Sequence, residues 1–275
     1  MAHTANDAVD VIDCVADRYL HSIPNLAGVA GTLVSDVDDL IFTSNRAENT
    51  VGVFTPNNES GMTKIPVGVR PNGLSYDPHS GFLLAAHVGD PNIPGSTSVA
   101  LIHVSKKRIV ATIPVPGRTR WTVFDTASNA FYVNIADPAQ IIAVSAAVPT
   151  EVSRTFPVPV SGPHGLDIDP SSSRLFCACD GAKLVTLDLH SGAVVNVSDI
   201  SGVPDVIFYN DFLQHLYIAI GDPGMIDVFD TQTMTLLESI NTERGAHTLA
   251  FEGRQQKIYA FLPETHRAAV YIDRA

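Results

Sequence analysis

Cysteine, tryptophan and charge are all scarce in this chain of 275 residues, which has three cysteines, a single Trp121 and 17% Asp, Glu, Lys and Arg together. A small, odd number of cysteines does not build a disulfide framework. Cys177 and Cys179 alternate along a run that reads as a strand, so both thiols share one face. They are expected as buried free thiols, because a metal pair usually needs a wider spacing. Positive charge is scarcer still, with 17 Lys and Arg against 29 Asp and Glu, a formal charge of −12. Nucleic acid is bound through clustered Lys and Arg and is therefore not an expected partner. The one compact basic cluster, Lys106, Lys107 and Arg108, reads as a solvated turn. No apolar run approaches the ~20 residues of a membrane span, so no membrane partner is expected. The N-terminus lacks both a basic n-region and an apolar h-region, which makes the cytoplasm the expected compartment.

What the chain has in quantity is apolar residues, 45% of it, with 19 Gly and 18 Pro spread along the length. Short runs of Val, Ile, Leu, Phe and Tyr separated by turn residues are an all-β signature. The runs repeat. Arg70-Pro71-Asn72-Gly73-Leu74-Ser75-Tyr76-Asp77-Pro78 and Gly162-Pro163-His164-Gly165-Leu166-Asp167-Ile168-Asp169-Pro170 superimpose without gaps, and weaker copies begin near Val29, Thr119, Gly202 and Gly245. The equivalent positions Ala30, Asn72, Arg120, His164, Asp205 and His247 stand 41 to 48 residues apart. Each copy continues through a turn and three further strand-like runs, the pattern of a four-stranded propeller blade.

The ends of the chain bear on closure. Residues 9–23 align with 226–240, the third and fourth strands of a blade, and residues from 247 onward supply first to third strands. The expected fold is an all-β, six-bladed β-propeller, closed by pairing N-terminal strands with the C-terminal blade so that no sheet edge is left free. It forms a single domain over 1–275, with blades at about 27–70, 71–118, 119–162, 163–203, 204–245, and 246–275 completed by 8–24. Residues 9–13 and 269–273 both read as a third strand, so one of them is expected to be redundant or added outside.

The run Leu40-Ile41-Phe42-Thr43-Ser44-Asn45 and the recurring Pro-x-Gly-Leu-x-x-Asp-Pro resemble the YVTN-type propeller repeat, related to lactonase-like and NHL-type propellers. The resemblance covers nearly the whole chain. It implies the architecture far more than any activity, since such propellers include binding scaffolds, lactone hydrolases and lyases. The Trp-Asp ends of WD repeats are absent, and the calcium-binding positions of the gluconolactonase group find no one-to-one match.

In a propeller the first strand of each blade lines the channel, and the end of the antiparallel second strand reaches the same face. Two rings of residues are thereby expected at one funnel mouth. The first is Ala30, Asn72, Arg120, His164, Asp205 and His247; the second is Asn45, His87, Ile135, Cys179, Ile220 and Leu262. Three of the ten histidines fall on these twelve positions, where an even spread would place fewer than one. His164, Asp205 and His247, with His87 across the funnel, suit a divalent metal ion held by imidazole and carboxylate. Such a metal could polarise a carbonyl, with Arg120 holding an oxyanion. In a metal-free version, His164 or His247 is a general base oriented by Asp205, and Arg120 stabilises developing charge. Asn72, Asn45, Trp121 and His87 are the expected substrate contacts.

The expected function is thus a small-molecule enzyme acting on a carbonyl compound, a hydrolase of lactones or a lyase or isomerase, monomeric or a small homo-oligomer. The alternative is a non-catalytic ligand- or protein-binding scaffold that uses the same face. Acidic residues on the loops above it (Glu48, Asp90, Asp137, Asp180, Asp222, Glu264) would favour cations. The longest of these loops, residues 87–98, is the expected lid or specificity loop.

Overall fold

The computed structural model of the protein describes residues 1–274, arranged as seven antiparallel sheets and no α-helix among those residues. The all-β expectation holds, and the chain has a β-propeller fold, but its blades number seven rather than six. The chain divides into two compact units. The N-terminal unit comprises Ala2–Asp13 and Arg18–Phe156; the C-terminal unit comprises Cys14–Asp17 and the chain from Pro157 onward.

Four sheets begin in the N-terminal unit. The first holds β1 (Ala2–His3), β2 (Ala8–Asp13) and β3 (Arg18–Ile23), and the second β4 (Val29–Ser35), β5 (Leu40–Asn45), β6 (Thr50–Thr55) and β7 (Asn58–Pro66). The third runs through β8 (Pro71–Asp77), β9 (Phe82–His87), β10 (Ser98–His103) and β11 (Arg108–Pro114); the fourth through β12 (Thr119–Asp125), β13 (Ala130–Ile135), β14 (Gln140–Ser145) and β15 (Arg154–Pro157). The C-terminal unit carries β16 (Pro163–Asp169), β17 (Arg174–Cys179), β18 (Lys183–Asp188) and β19 (Val194–Asp199). Beside these come β20 (Val203–Asn210), β21 (His215–Asp222), β22 (Met225–Asp230) and β23 (Thr235–Asn241), then a three-stranded sheet of β24 (Leu249–Glu252), β25 (Lys257–Leu262) and β26 (Arg267–Ile272).

The count rises to seven because β2 and β3 do not complete the C-terminal sheet. They pair with each other and with β1, through Ala2↔Val9 and His3↔Ala8. A two-residue strand is too short to show any periodicity, so the first blade has no visible inner strand in the sequence. The two candidate third strands are both real, β2 in one sheet and β26 in another. Lys257 of β25 donates from Nζ to both Asp17 carboxylate oxygens (2.7 and 2.9 Å) and to the Cys14 carbonyl (2.8 Å), while the Tyr259 hydroxyl donates to Asp17 at 2.7 Å. These bonds, the Lys257 pair foremost, hold the Asp17 carboxyl below its ordinary pKa.

Second and third strands are apolar on both faces because they lie between neighbouring sheets. In β17, Leu-Phe-Cys-Ala-Cys is buried throughout, and Phe176 packs with Leu216, Ile218 and Ile220 of β21. In the other unit Leu84 and Ala86 pack with Phe131, Val133 and Ile135. Outer strands are exposed, as in β19 with its half-exposed Val195 and Val197. The repeat's Asp closes the first strand in three blades, at β8, β12 and β16. Asp77, Asp125 and Asp169 are buried and accept backbone N–H groups two residues on, from His79, Ala127 and Ser171; Asn210 does the same for Phe212. These are Asx turns, so the motif's acidic residue serves the turn itself.

Candidate functional site

Five first strands bear a β-bulge where the first ring was read; β24, which follows His247, pairs without one. The ladder skips between Val29 and Gly31, Pro71 and Leu74, Thr119 and Thr122, Pro163 and Gly165, and Pro204 and Ile207. Ala30, Asn72, Arg120, His164 and Asp205 therefore sit outside regular pairing, and a bulge re-aims the side chain it carries. In several blades the residue after the bulge is glycine for a steric reason. A Cβ on Gly165 would lie 2.5 Å from the Asp205 carbonyl oxygen, and one on Gly73 would lie 2.5 Å from that of Arg120.

The C-terminal unit brings His164, Asp205 and His247 together and adds Asp180. His164 Nδ1 is 2.7 Å from Asp180 Oδ1, and its Nε2 is 3.3 Å from Asp205 Oδ1. The other Asp205 oxygen, Oδ2, is 4.0 Å from His247 Nε2, the outer limit of an ion pair. From His164 outward to His247 exposure rises: the His164 side chain is 11% exposed, Asp205 24% and His247 55%, with Asp180 on the other side of the ring at 33%. Asp180 is placed by backbone, since its N–H donates to the Gly162 carbonyl at 2.8 Å. Gly162 has φ +67°, and a Cβ there would strike Asp180 at 2.6 Å. Three residues along β16, burial raises the Asp167 carboxyl to a pKa of about 6, against backbone N–H bonds from Tyr209 and Ile168.

Both ring nitrogens of His164 face carboxylate oxygens. An imidazolium satisfies the two contacts at once, and a neutral ring satisfies only one by donation. A metal ligand or general base needs a nitrogen lone pair directed at its target, which this arrangement does not offer. Among the described residues no group of three or more His, Cys, Asp or Glu side chains could hold a metal ion. Metal binding at His87, His164, Asp205 and His247 therefore has no support among the described residues. The hydrolase and lyase expectations, which drew on metal-polarised carbonyl chemistry, have no support here either.

The N-terminal unit holds the remaining expected residues. His87 is fully buried, accepts the Gly68 N–H at Nε2 (3.2 Å) and lies 2.9 Å from Ser98 Oγ through Nδ1. Burial drives its pKa down to about 4, so at neutral pH it is an uncharged core residue with both nitrogens used. Asn45 is fully buried, and its Nδ2 donates to Thr50 Oγ1 at 3.1 Å. The Asn72 side chain accepts from the Arg46 guanidinium, and the Trp121 ring fills space beside Gly31, which a Cβ would bring within 3.6 Å of it. Arg120 occupies its bulge, partly buried. Cys179 and Cys177 are buried free thiols with sulfurs 3.7 Å apart.

Asp180, expected from the sequence only as one of the acidic loop residues above the funnel, and Arg46, not expected at all, are the side chains added to the site. Both stand one residue beyond the second ring, and a single backbone bond repeats at that place: Arg46, Val88, Ala136 and Asp180 donate to Gly28, Arg70, Arg118 and Gly162. Reading the second ring one position later would have found them.

No family model matches the sequence, and no curated protein matches it either. Solved structures do match in fold. A functionally unknown protein from Desulfotomaculum acetoxidans is similar at 13% identity and TM-score 0.81, over 98% of this chain and 90% of that one. A chain of a mitotic checkpoint complex is similar at 11% identity and TM-score 0.82, over 98% and 82%. One from Kuenenia stuttgartiensis hydrazine synthase is similar at 14% identity and TM-score 0.62, over 88% and 94%. At these identities the likeness concerns fold alone.

Proposed function

We propose that the protein is a non-catalytic binding propeller whose C-terminal unit takes a small ligand bearing an amine or another cationic group. One observation carries this reading: two carboxylates, Asp180 and Asp205, flank the single imidazole of His164 and hold both its nitrogens. Two carboxylates against one imidazole leave the trio with a net negative charge, on carboxylates a quarter to a third exposed and fixed by backbone bulges and bonds. Fixed carboxylates attract and orient an ammonium group without the cost of ordering them on binding. Kinship with YVTN-type repeats belongs to the same proposal and rests on the Pro-x-Gly-Leu-x-x-Asp-Pro motif; the reading is also compatible with a cytoplasmic monomer or small homo-oligomer.

Calorimetric titration with a panel of small primary amines and their matched alcohols tests the reading. Saturable binding by an amine, weakened at least tenfold in Asp205→Asn with an unchanged melting temperature, is expected. Equal affinity for the matched alcohol, or full affinity in Asp205→Asn, would overturn it.

A second reading has its own observation: His247 is exposed, and its Nε2 faces Asp205 across 4.0 Å. An exposed imidazole with a carboxylate near one nitrogen can serve as a general base through the other. Substrate turnover abolished in His247→Gln would establish that reading in place of the first.

A further inference from the structure

Two consecutive blades of the N-terminal unit depart from the repeat in the same way. The backbone carbonyl that receives the residue after the second ring belongs to glycine in two blades, Gly28 and Gly162, both with positive φ. In the sheets that begin with β8 and β12 the same position is Arg70 and Arg118. Arg70 keeps the left-handed backbone, φ +56°, where glycine is the unstrained choice. The backbone gains nothing from arginine there.

Both arginines are exposed and line one cleft of about 510 Å³ beneath the loop that follows β9. Among the described residues neither guanidinium pairs with a carboxylate. Val88, Pro91, Ile93 and Pro116 supply an apolar wall, Ile93 being 50% exposed. Asp90 is the one carboxylate of the lining, and its Oδ1 is occupied by the backbone and side-chain N–H groups of Asn92. The lip is pre-formed. Ser96 Oγ receives the Asp90 N–H at 2.8 Å and donates to the Asp90 carbonyl at 3.0 Å, tying the loop across its base.

We infer that this cleft is a binding site for an organic oxyanion, a carboxylate or phosphate ester with an apolar body, whose charge Arg70 and Arg118 clamp while the body lies on the Pro91–Ile93 wall. The volume lies within the range typical of small-molecule sites, and arginine's planar fork suits either oxyanion. This site is separate from the amine site proposed above and does not depend on it.

The probe is 1-anilinonaphthalene-8-sulfonate, an apolar ring system with one anionic group, followed by its fluorescence; N-phenyl-1-naphthylamine, which lacks the sulfonate, is the control. Saturable binding of the sulfonate, at least tenfold tighter than of the control, is expected. Arg70→Gly restores the residue the repeat otherwise uses, and should weaken binding at least tenfold while leaving the melting temperature unchanged or higher. Arg118→Gln should weaken binding to a similar degree, and Ile93→Asp serves as a second variant that leaves both arginines in place and should also weaken it. Displacement by benzoate or by phenyl phosphate tells which oxyanion the clamp prefers, and displacement by either supports the site. Sulfonate affinity unchanged in Arg70→Gly and Arg118→Gln, or equal binding of the uncharged control, would overturn the inference.

Discussion

Replacing His87 should change how the stability of the protein depends on pH, not only its size. His87 is completely buried, receives the Gly68 N–H and meets the Ser98 hydroxyl, and burial lowers its pKa from 6.5 to about 4. The sign follows directly. Between pH 6.5 and 4 the unfolded chain binds the proton and the folded chain does not, so stability contributed by the neutral ring is full above about 6.5 and falls as the pH drops. Between pH 7.5 and pH 5.0 the loss is about 2 kcal/mol. Asp167 works in the opposite direction, since its raised pKa of about 6 penalises the charged folded form and that penalty is relieved on acidification. A comparison of wild type with His87→Leu cancels Asp167 and every other group common to both. At pH 7.5 the variant should be less stable by about 2 to 4 kcal/mol, having left the Gly68 N–H and the Ser98 hydroxyl without the ring. At pH 5.0 the gap should narrow by about 2 kcal/mol. Urea unfolding at the two pH values, followed by far-ultraviolet circular dichroism, measures both gaps. A gap of the same size at both would refute the neutral buried imidazole.

Gly165→Ala places a Cβ 2.5 Å from the Asp205 carbonyl oxygen, and the strand must shift; a loss of about 1 to 3 kcal/mol in chemical unfolding is expected, and no loss would mean the first strands are not in close contact there. Lys257→Met removes the hydrogen bonds to Asp17 and the Cys14 carbonyl, so the melting temperature should fall, and by less below the ordinary carboxylate range than at pH 7, because protonating Asp17 weakens the same tie in wild type. Asp169→Ala removes the acceptor for the Ser171 and Ser172 turn groups and should cost about 1 to 2 kcal/mol; Ser171→Ala alone should cost less.

The repeat was legible because it is made of things that sequence displays: buried second strands rich in large apolar residues, and a turn that needs Asp at one place. The seventh blade was not, because its inner strand is Ala2–His3, and two residues carry no pattern. Part of the site was legible for a geometric reason. Residues at equivalent bulges point the same way, so His164 and Asp205 could be grouped before their distance was known. Their chemistry was not legible, because Asp180 stands in the loop one residue past the second ring and holds the other nitrogen of the imidazole. Nor could residue type show that His87 lies sealed in its sheet with both nitrogens used, while His247 stands in solvent.

The bulges separate address from content. One backbone position, fixed by the ladder on one side and the neighbouring strand on the other, carries Ala30, Asn72, Arg120, His164 and Asp205: methyl, amide, guanidinium, imidazole and carboxylate. The fold tolerates all five there because none of them supplies the pairing that holds the strand. Such positions behave like interchangeable type in a fixed frame. Selection can rewrite what the protein recognises at these points while leaving the scaffold that presents them intact.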